Sequence, residues 1–84
     1  MNFVCEVYIR PRADILDPQG DAVQNALGHL GFEGVKDVKV GKYLVLKLSA
    51  ESLESVEQQA RAMCDKLLAN PITEDYTLKI SPEA

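Results

Sequence analysis

The sequence lacks the features of two large classes of protein. It contains no apolar run near the roughly 18 residues that a membrane-spanning helix needs. It holds 9 lysine and arginine residues against 13 aspartate and glutamate residues, a net charge of −4. Affinity for nucleic acid depends mainly on clustered cations. We therefore expect neither a membrane nor nucleic acid among the partners.

Residues that commonly carry catalysis or bind metals are scarce. His29 is the only histidine, and it falls in the last turn of a predicted helix, where a cation suits the helix dipole. The cysteines, Cys5 and Cys64, have neither metal-site nor C-x-x-C spacing. We expect two buried free thiols, because free cysteine behaves as a small hydrophobic residue. No catalytic, cofactor-binding or metal-binding residue is predicted.

The length and the first residues limit the architecture. The 84 residues, 46% of them hydrophobic, suffice for one domain that buries roughly 60–65% of its unfolded surface. The opening MNFVCEVYIR contains Glu6 and Arg10 and lacks a small-residue cleavage site, so no signal peptide is predicted. A cytoplasmic location is expected.

The first predicted helix begins with an unusual set of residues. Asp17 is a predicted N-cap and Pro18 suits the first helical position, while Gly31 suits the left-handed position after the helix. Helix chemistry does not explain Gln19 or Gly20, since glycine in a first turn costs up to about 1 kcal/mol relative to alanine. We attribute both to a partner close to the backbone. Gly20→Ala is then expected to retain or raise stability.

The strands follow from alternating apolar residues. Alternation over residues 2–10 predicts the first strand. VKDVKV and YLVLKL predict a hairpin in which Gly41 takes the positive φ of a tight turn. Its register stays open, because a two-residue loop pairs Val40 with Tyr43 whereas an odd loop pairs Val40 with Leu44. DYTLKI predicts the last strand.

A second helix lies within SAESLESVEQQARAMCDKLLAN. Ser49 or Ser52 is its predicted cap, Asn70 its C′ residue, and Pro71 prevents continuation. Its buried stripe is predicted to contain Leu53, Val56, Ala60, Met63 and Leu67. The order β-α-β-β-α-β predicts an α+β, ferredoxin-like fold, a four-stranded antiparallel sheet with two helices on one face.

The open face of this predicted sheet carries an apolar cluster. Its members are Val4, Tyr8, Tyr43 and Val45. Such a cluster on neighbouring strands indicates a protein contact. Because so small a core gains from a partner, we predict a homodimer or higher even-numbered oligomer that uses these residues.

Three segments carry a resemblance to a known family. LDPQGDAVQNALGHLGF, VKDVKVGKY and MCDKLLANPITEDY resemble, in this order, the small subunit of phosphoribosylformylglycinamidine (FGAM) synthase, the PurS family. L-D-P-Q-G is the most specific block, and L-x-N-P-x-x-E-D-Y is the second. The match covers nearly the whole chain, which implies a single PurS-like domain over residues 1–84.

The resemblance implies a subunit of a glutamine-dependent, ATP-consuming, amidine-forming ligase in purine biosynthesis. In this family a glutaminase subunit releases ammonia, and a large synthetase subunit uses ATP and Mg to activate the substrate amide. The small subunit is implied to bridge the two and support ammonia transfer, with no active site or cofactor of its own. The candidate partner contacts are Asp17, Pro18, Gln19, Gly20, Gly41 and Lys42.

Two other functions suit the predicted fold, because fold does not decide function. One is a stand-alone ACT-like dimeric module that binds a small regulatory molecule. The other is an acylphosphatase-like hydrolase, which needs an arginine phosphate cradle and an asparagine near the first strand. Arg10 and Arg12 are present, but Asn2, Asn25 and Asn70 are not placed for that role.

Overall fold

The computed structural model describes residues 1–83 and has α+β architecture. The elements are β1 (Asn2–Pro11), α1 (Pro18–His29), β2 (Lys42–Ser49), α2 (Leu53–Met63) and β3 (Glu74–Pro82). A π-helical turn, Cys64–Leu68, extends α2. The strands form one antiparallel sheet in the order β2-β1-β3. Within the described part of the chain, neither helix has the length and hydropathy needed to cross a bilayer.

The core lies between β1 and α2. Every second residue of β1 is buried, as the two-residue period of a strand requires. Val7, at the middle of β1, pairs with Leu44 of β2 and with Leu78 of β3. Val56 and Ala60 of α2 are also fully buried. Apolar burial between one helix and the central strand therefore stabilises the fold.

The ends of α1 follow the local chemistry that the sequence predicts. Asp17 is the N-cap, and proline occupies the first turn. Gly31 has a left-handed φ of 96°. The Phe32 N–H donates to the Leu27 carbonyl (3.0 Å), the long bond of a Schellman motif. The predicted boundaries of this helix are confirmed.

The prediction of a four-stranded sheet was wrong. Residues 35–41 have no regular secondary structure, and the sheet has three strands. Gly41 makes no left-handed turn, because in the described residues only Gly31 has positive φ. A side chain from the helix start holds this segment instead, since the Val40 N–H donates to Asp17 Oδ2 (2.8 Å). Neither hairpin register exists.

The placement of two helices on one sheet face was also wrong. No side chain of α1 belongs to the core cluster, and Gly20 is the one buried residue of the helix. The radius of gyration is 16.4 Å, whereas a compact chain of this length has roughly 12 Å. The helix therefore projects from the sheet. We call residues 18–32 the arm.

The buried stripe of α2 is narrower than predicted. Leu53, Met63 and Leu67 are exposed, whereas Val56 and Ala60 are buried as predicted. Cys64, four residues beyond Ala60, continues the stripe and is fully buried. Since α2 alone covers the sheet, only the side chains that point straight down are covered. The prediction rested on the 3- and 4-residue spacing of apolar side chains, which does not specify how wide a surface covers the helix.

The caps of α2 distinguish between the predicted alternatives. Ser52 is the N-cap, and its Oγ accepts from the Ser55 N–H (3.1 Å). The helical stretch ends through the π-helical turn, and Ala69 follows in extended conformation. Asn70 follows the C-cap Ala69 and therefore occupies the predicted C′ position, although it has no left-handed φ. Its N–H donates to Glu74 Oε1 (2.8 Å) at the start of β3.

Candidate functional site

The start of α1 forms a compact corner with the segment before β2. We call residues 17–20 and 38–41 the helix-start corner. Asp17 Oδ1 accepts from the Gly20 N–H (3.0 Å), and Oδ2 accepts from the Val40 N–H (2.8 Å). The hydrogen bond from Val40, and then that from Gly20, hold the pKa of the Asp17 carboxyl below its usual range. One buried carboxylate therefore joins two segments that are far apart in sequence.

Gly20 has a structural role within its own chain. A Cβ there would overlap the carbonyl oxygen of Val38 and would lie 2.9 Å from Asp17 Oδ2. The backbone that approaches Gly20 is thus that of residues 38–40. This overlap contradicts the basis of the expectation that Gly20→Ala retains or raises stability. The contact joins residues 18 positions apart, so no local helix rule reveals it.

Gly41 has a similar structural explanation. A Cβ at this position would overlap the Ile9 carbonyl oxygen and approach the Arg10 Cα to 3.2 Å. Glycine therefore permits the segment to cross the end of β1 at close range before it enters β2. This close approach, and not a turn, explains the residue.

The remaining partner candidates lie at the surface. Pro18, Gln19 and Lys42 are exposed. The Lys42 Nζ lies 4.0 Å from the Glu74 carboxylate, a long ion pair. Asp17, Gly20 and Gly41 shape the corner that presents these three side chains, and their contact with another protein stays a prediction.

The open face of the sheet brings the predicted self-association residues together. Tyr8 pairs directly with Tyr43, and their ring centroids lie 5.1 Å apart. The Tyr43 hydroxyl donates to Glu6 Oε1 (2.6 Å), and this hydrogen bond raises the pKa of Tyr43 to about 12. Val45 is exposed and Val4 is half-buried. The predicted cluster exists on this face, and its use in self-association stays a prediction.

The segment LANPITEDY, the second motif of the sequence, leads from the π-helical turn through a short turn into β3. The Asn70 N–H donates to Glu74 Oε1 (2.8 Å). Arg12 Nη2 donates to the Pro71 carbonyl (2.7 Å), and Arg12 Nε lies 3.3 Å from Asp75 Oδ1. These contacts fasten the loop to the residues that follow β1. The motif therefore has a structural explanation.

A cleft beside this loop lacks the charge of an anion site. Its polar and charged lining residues include Arg10, Arg12, Asp65, Glu74, Asp75 and Tyr76. The carboxylates outnumber the guanidinium groups, so the cleft offers no phosphate cradle. Among residues 1–83, no group of His, Cys, Asp and Glu could hold a metal ion. The hydrolase alternative gains no support from this cleft.

The two cysteines are buried free thiols, as predicted. Burial raises the pKa of both Cys5 and Cys64. Because the thiolate is the reactive form, a raised pKa makes both side chains poor nucleophiles.

Comparison with known proteins identifies the family. The PurS family model, described as phosphoribosylformylglycinamidine (FGAM) synthase, matches residues 4–82. The chain belongs to the PurS family. The resemblance predicted from the sequence motifs is thereby confirmed, and with it the assignment to a subunit of FGAM synthase, a ligase of purine biosynthesis.

Individual PurS proteins agree with this chain in sequence and in structure. The PurS subunit of a Synechocystis FGAM synthase is 42% identical over 80 residues, which span 95% of this chain and 80% of that subunit. The crystal structure of Methanocaldococcus jannaschii PurS is 35% identical, covers 98% of this chain and 99% of its own, and has a TM-score of 0.83. A chain in the Thermotoga maritima PurLQS structure is 26% identical, with coverages of 96% and 99% and a TM-score of 0.87.

The arm is the feature of this PurS chain that the sequence interpretation missed. A usable signal was present, since Asp21 is the only charged residue from Pro18 to Gly28. A surface helix normally carries charged and polar residues on the face opposite its apolar stripe. The scarcity of charge in so exposed a helix is therefore the signal that sequence reasoning could have used.

Proposed function

We propose that this chain is the small, non-catalytic subunit that joins the glutaminase and the large ATP-dependent synthetase of FGAM synthase and supports ammonia transfer between them. ATP and Mg are used by the synthetase, and the chain binds no cofactor of its own. Its expected location is the cytoplasm. The observation that carries the proposal is the match, over 96% of the chain, to a chain in the Thermotoga maritima PurLQS structure.

The surface chemistry supports a role in assembly. The open face exposes the Tyr8–Tyr43 pair, and tyrosine is enriched in protein interfaces. The helix-start corner presents Pro18 and Gln19 on a rigid backbone fastened by Asp17. We assign the corner, with Lys42, to contact with the larger subunits. The open face is assigned to self-association into an even-numbered oligomer.

Reconstitution tests the proposed role. Glutamine-dependent FGAM formation by the glutaminase and the large subunit is expected to require this chain and to saturate as it is added. The chain alone should show no synthase, glutaminase or ATPase activity, because it supplies contact surfaces and no nucleophile. Full activity without the chain would contradict the proposal. So would ATP hydrolysis by partner-free protein that a point change in this chain abolishes.

Val45→Glu tests the open face. The new carboxylate would lie opposite Glu6, the partner of Val45 in the sheet register. We expect a lower molar mass in light scattering at a fixed protomer concentration, because an unpaired charge is poorly tolerated in a buried contact. Val45→Thr is the matched control, since it keeps the β-branched shape and adds no charge. Unchanged mass and melting temperature for Val45→Glu would remove this face from the interface.

A further inference from the structure

The turn that precedes β3 presents an aliphatic side chain to solvent. Ile72 lies in the middle of this turn, between Pro71 and Thr73, and is 77% exposed. It does not belong to the core cluster. A single exposed aliphatic residue is ordinary, although turns mostly carry glycine, proline, asparagine, aspartate or serine. What distinguishes Ile72 is the set of hydrogen bonds that fixes the backbone on which it stands.

Some of these bonds hold the turn from within. The Asn70 carbonyl accepts from the N–H groups of Thr73 (3.2 Å) and Glu74 (2.8 Å). The Asn70 side chain accepts from the Ile72 N–H through Oδ1 (3.0 Å), which forms an Asx turn. Proline at position 71 removes further freedom, because its ring fixes φ. The backbone around Ile72 is therefore preorganised.

Arg12 fastens the same turn to the end of β1. Its backbone N–H donates to the Thr73 carbonyl (2.9 Å), and its Nη2 donates to the Pro71 carbonyl (2.7 Å). One residue thus holds the backbone on both sides of Ile72. The exposed side chain of Ile72 consequently has a fixed position relative to the sheet.

A second exposed aliphatic side chain lies at the same end of the molecule. Leu16 is 79% exposed, and it follows a turn in which the Ile15 N–H donates to the Arg12 carbonyl (3.0 Å). The Lys39 Nζ donates to the Ile15 carbonyl (3.1 Å), which connects this loop to the helix-start corner. We call Leu16 and Ile72 the loop tips. They extend the surface of the corner towards the start of β3.

We propose that the loop tips insert into an apolar socket on one of the larger subunits of FGAM synthase. Affinity in a protein interface is concentrated in a few anchor side chains that fill well-packed pockets. An anchor on a preorganised backbone loses little conformational entropy on binding, and the bonds from Asn70 and Arg12 provide that preorganisation. The inference rests on the assembly role proposed above, and it adds two contact residues outside the helix-start corner.

The position of the loop tips favours a larger subunit over a second copy of this chain. The proposed self-association uses the open face of the sheet, where Tyr8 and Tyr43 pair. The loop tips instead stand at the end of the strands, where β1 ends and β3 begins. They adjoin the corner that is assigned to the larger subunits. A chain that joins two other proteins requires contact surfaces besides the one it uses for itself.

Ile72→Glu tests the proposed socket. Glutamine-dependent FGAM formation is measured while the chain is titrated into the glutaminase and the large subunit. We expect the half-saturating concentration to rise at least about tenfold, because a carboxylate would enter an apolar pocket unpaired. Leu16→Glu should change it in the same direction. Ile72→Leu should stay within about twofold of the wild type, since it keeps an aliphatic side chain of the same volume.

Leu53→Glu is the matched control at the opposite end of the molecule. Leu53 is 53% exposed and is the first residue of α2. Glutamate suits the start of a helix, because the helix dipole is positive there. This variant should saturate the enzyme as the wild type does. The Ile72→Glu and Leu16→Glu variants should retain the wild-type melting temperature and the wild-type mass in light scattering, because both positions are exposed in the single chain.

A photo-crosslinker at position 72 identifies the partner and serves even if the glutamate variants fail to fold. Benzoylphenylalanine in place of Ile72 keeps the side chain apolar, and irradiation of the three-subunit mixture should join this chain to a larger subunit. Cross-links between copies of this chain alone would overturn the inference. So would wild-type saturation by Ile72→Glu, or a lower mass for that variant. Synthase activity that does not require the chain would instead overturn the assembly role itself.

Discussion

Gly20→Ala is expected to destabilise the chain by at least about 2 kcal/mol, the range of an overpacked core site. The added methyl group would overlap the Val38 carbonyl oxygen, which is backbone and cannot rotate away. For a domain of this size, such a loss lowers the melting temperature by roughly 10 °C. Thermal melts should be compared at one protomer concentration, since self-association contributes to stability.

Gly28→Ala is the matched control for this prediction. Gly28 lies in the same helix, and a Cβ there would meet nothing within 4 Å. Alanine should therefore stabilise the helix by up to about 1 kcal/mol. Opposite signs at the two positions would demonstrate that the Val38 contact, and not helix propensity, requires glycine at position 20. A Gly20→Ala melt equal to or above that of the wild type would refute the structural role.

Asp17→Asn is expected to lower the melting temperature at pH 7 and to make stability less dependent on acid pH. The amide has one acceptor oxygen, so one of the N–H groups of Gly20 and Val40 would face an NH₂ group. The folded-state pKa of Asp17 is depressed below its usual 3.8. The contribution of the carboxylate is therefore fully present above pH 3.8 and is lost as the pH falls through the folded pKa.

Melts between pH 7 and pH 2 measure this effect. The gap between the wild type and Asp17→Asn should be widest near neutral pH and should narrow below pH 3.8. Asp14→Asn, at an exposed position three residues earlier, is the control and should follow the wild-type curve. A constant gap across the whole range would show that the charge of Asp17 contributes nothing to the corner.

Both predictions bear on assembly, because the helix-start corner determines where the arm points. Asp17 and Gly20 fasten α1 to residues 38–40, and the arm extends from that point. If the corner loosens, the orientation of the arm relative to the sheet changes even where α1 stays helical. We therefore expect Gly20→Ala to weaken self-association and reconstituted synthase activity together, through the geometry of its own chain.

The sequence alone determined the local elements and the family of this protein. Asp17, Pro18 and Gly31 mark the ends of α1. Their contacts involve residues only a few positions away, so the local sequence is enough to predict them. The alternation of β1 predicted its buried face for the same reason. The motifs LDPQG and LxNPxxEDY carried the resemblance to PurS, although the bonds that fasten the second motif to Arg12 were not predictable.

Only the tertiary structure decided which surfaces meet. The apolar patterns of α1 and α2 are compatible with two helices side by side on one sheet, and periodicity does not specify which sheet, or which molecule, covers a helix. That choice depends on contacts between distant residues, such as the Gly20 backbone against the Val38 carbonyl and the Asp17 carboxylate on the Val40 N–H. These contacts hold residues 38–40 against the start of α1, where they form no pair with the sheet. The predicted fourth strand is absent, and the arm projects, for that one physical reason.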